Sequence, residues 1–546
     1  MSAPSYVHGA ADVPLLGETI GANLRRTVER HPEHDALVVA SQNFRATYRE
    51  FWDLTTRLAR ALLARGIARG DRVGIWAPNR YEWVVAQYAT ARVGAVLVNV
   101  NPAYRAHELE YTLDQSGMRL LLHARRFRAA DYSAIVDSVR PNCPALNETV
   151  VLDDEWDSLL EEGAGVDDAA LAEREAGLSF DDPINIQYTS GTTGAPKGAT
   201  LSHHNILNNG YFCGEILRYT ADDRVLIPVP FYHCFGMVIG NLACTTHGAC
   251  MVAPAESFDP AATLAAIERE RCTSIYGVPT MFIAQLNHAD FRSTDFSSLR
   301  TGVMAGSPCP VEVMKQVREQ MNVTGITICY GMTETSPVST QTRVDDPVEK
   351  RVGSVGRIHP HVEIKVIDPE SGRIVPRGAS GELCTRGYVV MLGYWNQPEA
   401  TAAAIDGARW MHSGDLAAMD DEGYLKIVGR IKDMIIRGGE NVYPREVEEF
   451  LYTHPDIEDA QVIGVPSARY GEEVMAWVKP KAGTTLTGEQ LRAFCHGAIA
   501  TYKIPRYWKL VDAFPLTVTG KVRKFRMREI ATAELDLGDA AGIETA

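Results

Sequence analysis

The strongest constraint on the fold is an alternation of amphipathic and apolar segments in the N-terminal part of the chain. Residues 49–65 space their apolar side chains at helical intervals, and residues 72–78 form an apolar run that ends at a proline. A helix-then-strand pattern follows at residues 81–102, and further apolar runs stand at residues 119–124 and 184–188. Strands that alternate with helices at this spacing predict right-handed βαβ units and a parallel sheet.

The pattern of predicted helices and strands changes toward the C-terminus. From about residue 345, short strand-like runs are separated by Gly, Pro and Asp turns, which predicts a small β subdomain over about 345–429. Beyond it, strand and helix patterns mix as in a separate α+β domain. The predicted fold class is therefore α/β, with a large N-terminal domain of doubly wound βαβ sheets at residues 1–429, a hinge at 430–433 and an α+β domain at 434–546.

Composition and charge narrow the classes of partner. The chain has 546 residues and a net charge of −15, which argues against a protein that coats nucleic acid or an anionic membrane. Its 10 cysteines include no C-x-x-C pair, which favours reduced thiols in the cytoplasm. No basic leader precedes an apolar run, and no stretch approaches about 18 uninterrupted apolar residues. We expect a small-molecule substrate, no nucleic acid and no integral membrane segment; a homodimer is left open.

A polar loop at residues 188–198, YTSGTTGAPKG, is the first candidate for chemistry. Its glycines would let backbone N–H groups turn toward a ligand, its hydroxyls would add donors, and Lys197 would add a charge suited to phosphate. It is not a Walker A sequence, because Pro196 stands where that motif has glycine. On composition alone, phosphate binding and a solvated loop are equally open. We expect the loop to join a strand to a helical segment capped by Ser202.

Five motifs, in one order, resemble those of the adenylate-forming (AMP-binding) superfamily. They are YTSGTTGAPKG at 188–198, YGMTET at 330–335, HSGDLA at 412–417, GRIKDMIIRGGENVYPREVE at 429–448 and PLTVTGKVRK at 515–524. The sequence as a whole is most similar to the medium-chain fatty-acid–CoA ligase branch of the acyl-CoA synthetases. The resemblance implies a carboxylate that attacks the α-phosphate of ATP, an acyl-adenylate, and displacement of AMP by the thiol of coenzyme A.

The resemblance assigns the phosphate loop and a magnesium site. Glu334 resembles the carboxylate that holds Mg²⁺, a hard ion that prefers oxygen ligands, and Thr189 would contribute to the same site. Thr333 resembles a contact to the α-phosphate. The residues around the β- and γ-phosphates would be Thr189, Ser190, Gly191, Thr192, Thr193, Gly194 and Lys197. Without the motif, an exposed glutamate at the start of a helix would be the favoured interpretation of Glu334.

The resemblance also implies a nucleoside site. Tyr330 and Gly331 resemble the surface that stacks on adenine, and Gly306, in the sequence MAGSP, would line the other side of the base. Asp415 resembles the acid that accepts hydrogen bonds from the ribose hydroxyls, and Arg430 would reinforce that contact. An aspartate after Ser-Gly is otherwise ordinary turn chemistry.

Residues near the C-terminus carry the rest of the implied mechanism. Lys521 resembles the catalytic lysine, and losing one such preorganised donor typically costs about 3–4 kcal/mol in the transition state. It must withdraw before a thiol can reach the acyl carbon, so the α+β domain would be a mobile lid. Lys432 stands at the implied pivot, and Gly439 and Asn441 would shape the second state. His233, in the sequence FYHCFG, resembles the histidine beside the acyl pocket; it could equally be a simply packed histidine.

The identity of the acid is the weakest inference from the sequence. Residues 231–252 and 276–282 are apolar and could line a tunnel, although ordinary core segments look the same. A medium- to long-chain fatty acid ranks first and an aryl acid such as coumarate or benzoate second. The sequence also leaves open a ligase that loads a carrier protein, a luciferase-like oxygenase and a non-enzymatic nucleotide-binding relative.

Overall fold

A computed structural model describes residues 3–189, 196–307, 309–438, 440–467, 469–517 and 522–537 of the chain. Contacts divide it into two compact units. The larger unit comprises residues 6–364 and 384–412, and the smaller unit comprises the described residues of 1–5, 365–383 and 413–546. The predicted hinge at 430–433 lies within the smaller unit, and the predicted domain boundary there stays a prediction.

The strands in the described residues are short and occur throughout the chain. They are β1 Tyr6–His8, β2 Asp35–Val39, β3 Phe44–Thr47, β4 Arg72–Trp76, β5 Val96–Asn99, β6 Leu120–His123, β7 Arg126–Phe127, β8 Ala130–Asp131, β9 Glu148–Val151, β10 Pro183–Thr189, β11 Lys197–Ser202, β12 Arg224–Leu226, β13 Cys250–Ala253, β14 Ser274–Gly277, β15 Thr301–Ala305, β16 Gly325–Gly331, β17 Val338–Gln341, β18 Arg357–Ile358, β19 Val362–Ile367, β20 Ser380–Gly387, β21 Gly393–Tyr394, β22 Met411–Met419, β23 Leu425–Arg430, β24 Ile435–Arg437, β25 Glu440–Val442, β26 Ile457–Ser467, β27 Gly471–Pro480 and β28 Tyr507–Leu510.

The α-helices alternate with these strands. They are α1 Ile20–Arg30, α2 Tyr48–Ala64, α3 Tyr81–Val93, α4 Ala106–Ser116, α5 Tyr132–Val139, α6 Leu152–Glu162, α7 Asp168–Ala176, α8 His203–Leu217, α9 Cys234–Gly236, α10 Ala243–His247, α11 Pro260–Arg269, α12 Pro279–Leu286, α13 Val311–Gln320, α14 Val348–Gly353, α15 Pro398–Ala404, α16 Pro444–Leu451, α17 Gly488–Cys495 and α18 Lys524–Glu534. Across the described ranges, every helix is too short or too polar to span a bilayer.

Two mixed sheets organise the larger unit. One has the strand order β21-β11-β10-β5-β4-β6-β9 and the other has the order β18-β17-β16-β15-β14-β12-β13-β2-β3. Strand β4 runs parallel to both β5 and β6, and β15 runs parallel to both β14 and β16. The predicted parallel α/β architecture is therefore confirmed, with antiparallel strands at the edges.

The second of these sheets buries its face under helices. Side chains of α11, α12 and α13, such as Ile267, Phe282 and Val317, pack in one buried cluster with Ile275 of β14 and Ile326 of β16. Burying each such side chain contributes roughly 1.5–3 kcal/mol, so this packing fixes the carboxyl ends of β15 and β16. Those ends carry several of the predicted site residues.

The connection between the polar loop and the next helix contains a strand that was not predicted. Strand β11 pairs antiparallel with β10, and helix α8 begins after it, at His203. Ser202 does cap α8, since its side chain accepts from the backbone N–H of Asn205. The strand forms because β10 and β21 lie on its two sides, a pairing that no local pattern reveals.

The smaller unit has the α+β texture predicted for the C-terminus. Strands β25, β24, β27 and β26 lie in that order, and β28 runs parallel to β27. Helices α16 and α17 contribute Val447, Leu451 and Leu491 to the same buried cluster as Val462 and Val474. Just before the predicted hinge, β22 and β23 form an antiparallel pair.

Candidate active site

The polar loop connects the two strands of a hairpin. Thr189 closes β10 and Lys197 opens β11, and the two residues lie opposite each other in the antiparallel register. The Thr189 hydroxyl approaches the carbonyl of Lys197 at 3.4 Å. The five loop residues predicted to bind phosphate lie outside the described residues; they are Ser190, Gly191, Thr192, Thr193 and Gly194.

Glu334 is a buried acidic residue that contacts the end of the strand leading into the polar loop. It lies in a 3₁₀ turn, Thr333–Thr335, just after β16, and it is only 6% exposed. Its Oε1 accepts a hydrogen bond from the hydroxyl of Tyr394 at 2.9 Å and one from Thr189 at 3.4 Å. A buried carboxylate is costly unless it is paired or hydrogen-bonded, so an exposed helix-start glutamate is not what the structure contains.

Tyr394 links the glutamate to the phosphate-loop lysine. Its ring lies under the ammonium of Lys197, with Nζ 5.1 Å from the ring centroid. Burial, followed by the charge of Glu334, raises the pKa of Tyr394 far above its ordinary value, so the phenol remains a donor at working pH. The sequence motifs do not include this residue, and no local signal points to its contact with Glu334.

The donors present suit a hard cation. A buried carboxylate and a threonine hydroxyl supply the oxygen ligands that Mg²⁺ prefers. Both hydrogen bonds to Glu334 fall on Oε1, so among the described residues Oε2 keeps its lone pairs for a ligand. Glu334 and Thr189 are therefore brought together as predicted and are chemically fit to hold the ion.

Four predicted nucleoside or phosphate contacts lie at or just after the carboxyl ends of β15 and β16. Gly306 follows β15 with a φ of +90°, a backbone conformation that favours glycine. Gly331 closes β16 where an added Cβ would stand 1.8 Å from the carbonyl oxygen of Pro337, so no side chain fits there. Half-buried Tyr330 precedes it, and Thr333 follows in the turn that carries Glu334. Ligands bind at this edge of open α/β sheets.

The aromatic–histidine segment contacts the same strand as the polar loop. His233 is the N-cap of α9, and its Nδ1 accepts from the backbone N–H of Phe235 at 3.1 Å. The backbone N–H and Sγ of Cys234 both donate to Oε1 of Gln187, at 3.1 and 2.9 Å. Burial raises the pKa of the Cys234 thiol to about 12, so it is protonated at neutral pH. Gln187, two residues before Thr189, is a second residue that the motifs did not single out.

The predicted ribose residues pair within the smaller unit. Asp415 and Arg430 lie opposite each other on β22 and β23, and the Arg430 Nε donates to Oδ1 of Asp415 at 2.9 Å. Asp415 is 8% exposed, whereas the Arg430 side chain is 63% exposed. The two predicted residues are thus brought together, and their contact to ribose stays a prediction.

The predicted hinge is a single 3₁₀ turn, Ile431–Asp433. Lys432 is exposed in it, and Asp433 accepts a hydrogen bond from Arg528 of α18 at 2.8 Å. Asn441 pairs through its backbone with Ile436 in the hairpin of β24 and β25. The predicted residues Gly439 and Lys521 lie outside the described residues, as does the side chain of Asn441.

Comparisons with known proteins place the chain in a family. The description "AMP-binding enzyme" matches residues 24–395, and "AMP-binding enzyme C-terminal domain" matches residues 446–521. YngI of Bacillus subtilis, named as an acyl-CoA synthetase, is 48% identical over 94% of this chain and 97% of its own. The medium-chain acyl-CoA ligase ACSF2, mitochondrial, of Danio rerio is 44% identical over 98% of this chain and 91% of its own.

A solved structure gives the same assignment. The anthranilate CoA ligase AuaEII in complex with anthranoyl-AMP superimposes with a TM-score of 0.84 at 27% identity, over 96% of this chain and 99% of that one. Sequence motifs, fold and the two matched regions agree along nearly the whole length. The chain belongs to the AMP-binding enzyme family.

Proposed function

We propose that this protein activates a carboxylic acid with ATP and transfers the acyl group to coenzyme A, releasing pyrophosphate and AMP. The observation that carries the proposal is the buried Glu334, tied by hydrogen bonds to Thr189 at one flank of the phosphate loop and to Tyr394 beneath Lys197 at the other. This arrangement concentrates one carboxylate and one ammonium where the loop would hold a polyphosphate.

In the first half-reaction, two anions must be brought together in line. Lys197 would offset the charge of the β- and γ-phosphates, and Thr333 would contact the α-phosphate. Mg²⁺ held by Glu334 and Thr189 would supply further charge neutralisation on the phosphate oxygens. Lys521 would donate to the oxygen where negative charge develops, and Asp415 with Arg430 would hold the ribose.

In the second half-reaction, the thiol would need the space that Lys521 would fill during adenylation. We place the pivot at Lys432, within the hinge 430–433, and treat residues 434–546 as the lid. A side chain at position 439 would obstruct the pantetheine arm, which accounts for Gly439, and Asn441 would support this second geometry. His233, on the turn that contacts Gln187, would lie beside the carboxylate.

For the acid, we propose a medium- to long-chain fatty acid. The two apolar segments meet, since the rings of Phe235 and Tyr276 lie 5.7 Å apart. Between residues 237 and 242 the chain forms a buried π-helix, a rare element that is frequent at functional sites. Relatives named medium-chain acyl-CoA ligase, matched over 91% of their length, support this choice. The anthranilate CoA ligase among the solved structures favours an aryl acid as the second candidate.

A panel of carboxylic acids with ATP and coenzyme A tests the proposal. We expect acid and ATP alone to give at most one equivalent of pyrophosphate per enzyme, sustained formation of AMP and pyrophosphate only when coenzyme A is also present, and the highest kcat/KM for aliphatic acids. Each CH₂ that enters an apolar pocket contributes about 0.8 kcal/mol, so KM should fall about fourfold per CH₂ until the pocket is full. A preference for benzoate or coumarate would select the second candidate.

The same assay separates the competing candidate functions. Thioester formation with free coenzyme A excludes an obligatory carrier protein, and absence of O₂ consumption or light with the acyl-adenylate excludes a luciferase-like oxygenase. Failure of every acid to yield AMP would overturn the proposed function in favour of nucleotide binding alone. We further propose a cytoplasmic location, supported by ten cysteines that are all buried and free.

A further inference from the structure

We propose that Tyr394 is a positioning residue that holds one oxygen of Glu334 for metal binding and seats Lys197 on its ring. The proposal rests on the proposed function, because it assigns Glu334 to the Mg²⁺ that accompanies ATP. Its consequence is that the phenolic hydroxyl, which would touch neither nucleotide nor metal, sets how tightly the metal binds.

Hydrogen bonding at Glu334 is unequal. The Tyr394 hydroxyl lies 2.9 Å from Oε1, whereas the Thr189 hydroxyl lies 3.4 Å from it, at the outer limit of a hydrogen bond. Thr189 also approaches the carbonyl of Lys197 at 3.4 Å, and a hydroxyl has only one proton to share between them. Tyr394 therefore makes the stronger contact to the buried carboxylate.

The backbone around Tyr394 is tied to both sides of the site. Its N–H donates to the Thr401 hydroxyl at 2.9 Å, and the preceding N–H of Leu392 donates to the carbonyl of Thr200 on β11 at 2.9 Å. The N–H of Met391 donates to the backbone carbonyl of Glu334 itself, also at 2.9 Å. The ring is thus held against the hairpin that carries the phosphate loop and against the turn that carries the carboxylate.

This geometry gives the hydroxyl and the ring separate tasks. With Oε1 held by the phenol, the carboxylate cannot turn freely, and Oε2 is presented in a fixed direction. Outer groups that orient metal ligands typically change metal affinity 10–100-fold when they are lost. The ring face stabilises the Lys197 ammonium by a cation–π contact and limits its excursions.

Nucleotide binding measured without acid or coenzyme A tests the hydroxyl. The probe is α,β-methylene-ATP, whose binding is followed by calorimetry while Mg²⁺ is titrated. For Tyr394→Phe we expect the Mg²⁺ concentration at half effect to rise about 10–100-fold, with metal-free nucleotide binding unchanged. An unchanged Mg²⁺ dependence in Tyr394→Phe would overturn the proposal.

Two further variants separate orientation from folding. Tyr219→Phe removes another buried hydroxyl, one that bonds to Tyr276 at 2.9 Å rather than to Glu334, and should leave the Mg²⁺ dependence unchanged. Tyr394→Leu removes the ring as well and should also weaken metal-free nucleotide binding; equal metal-free binding in Tyr394→Leu and Tyr394→Phe would refute the role of the ring. Because no acid is present, these results stand even if the acid panel disproves the proposed function.

Discussion

At the scale of single residues, His203 is a buried cap rather than a charged group. It is fully buried at the start of α8, and its Nδ1 accepts from the backbone N–H of Ile20, the first residue of α1. That N–H is one of the donors that a helix N-terminus leaves without an intrahelical partner. Burial lowers the pKa of His203 from 6.5 to about 4, because the protonated ring would be desolvated.

This cap makes stability depend on pH in a defined direction. A histidine with a lowered folded pKa contributes its full stability above the unfolded pKa and loses it as the pH falls from about 6.5 toward 4. We expect the lowered pKa of His203 to reduce the unfolding free energy by about 2 kcal/mol at pH 5 relative to pH 7.5. In urea unfolding, this decrease in unfolding free energy at low pH should be smaller in His203→Asn than in wild type, and it should be unchanged in the exposed control His107→Asn. Equal pH dependence in all three proteins would contradict the assignment.

Residues that carry the motifs could be named from sequence, whereas their partners could not. Glu334 and Thr189 were assigned to one site because a contiguous motif carries each, and the structure joins them. Tyr394 and Gln187 were missed because their importance comes from contacts between distant segments. Nothing in the local sequence around Tyr394 indicates that its hydroxyl reaches a residue 60 positions earlier.

At the scale of elements, the hinge turn is bracketed by ion pairs. Arg430, just before the turn, pairs with Asp415, and Asp433, at its end, pairs with Arg528. These pairs tie side chains before and at the end of the turn to neighbouring segments of the smaller unit. The pivot at Lys432 stays a prediction.

Restricting that pivot should separate the two half-reactions. Proline fixes φ near −65°, which a 3₁₀ turn accepts but a rotation about Lys432 does not. We expect Lys432→Pro to impair one half-reaction and to spare the other, depending on which of the two conformations the proline ring favours. In one case, pyrophosphate exchange stays within about threefold of wild type while thioester formation falls at least about tenfold. In the other case, the two effects are exchanged. Lys432→Ala is the matched control. Parallel loss or full retention of both half-reactions would contradict the pivot.

Helices and strands with a strong apolar periodicity were predicted well, whereas a strand that forms only by pairing with distant strands was not. Helix α2 and strand β4 begin within a residue of the predicted segments, because their apolar spacing is set by one buried face. Strand β11 was not predicted, because its six residues form a strand only between β10 and β21. Tertiary pairing overrode the local signal there.

At the scale of the whole molecule, the proposed mechanism depends on a cation near the C-terminus acting on a nucleotide bound by the larger unit. The family assignment covers both matched regions, and Glu334 and Thr189 lie in contact in the larger unit. In this proposed mechanism, adenylation would require Lys521 to approach the bound ATP, whereas thioester formation would require it to withdraw.

Measuring the two half-reactions separately in Lys521→Ala tests this mechanism. Loss of one preorganised donor worth about 3–4 kcal/mol should reduce acid-dependent pyrophosphate exchange by roughly 10²–10³-fold. Conversion of a synthetic acyl-adenylate and coenzyme A to the thioester should stay near the wild-type rate, and binding of ATP should be largely retained. Pyrophosphate exchange at the wild-type rate, or an equal loss in both half-reactions, would contradict the mobile-lid mechanism.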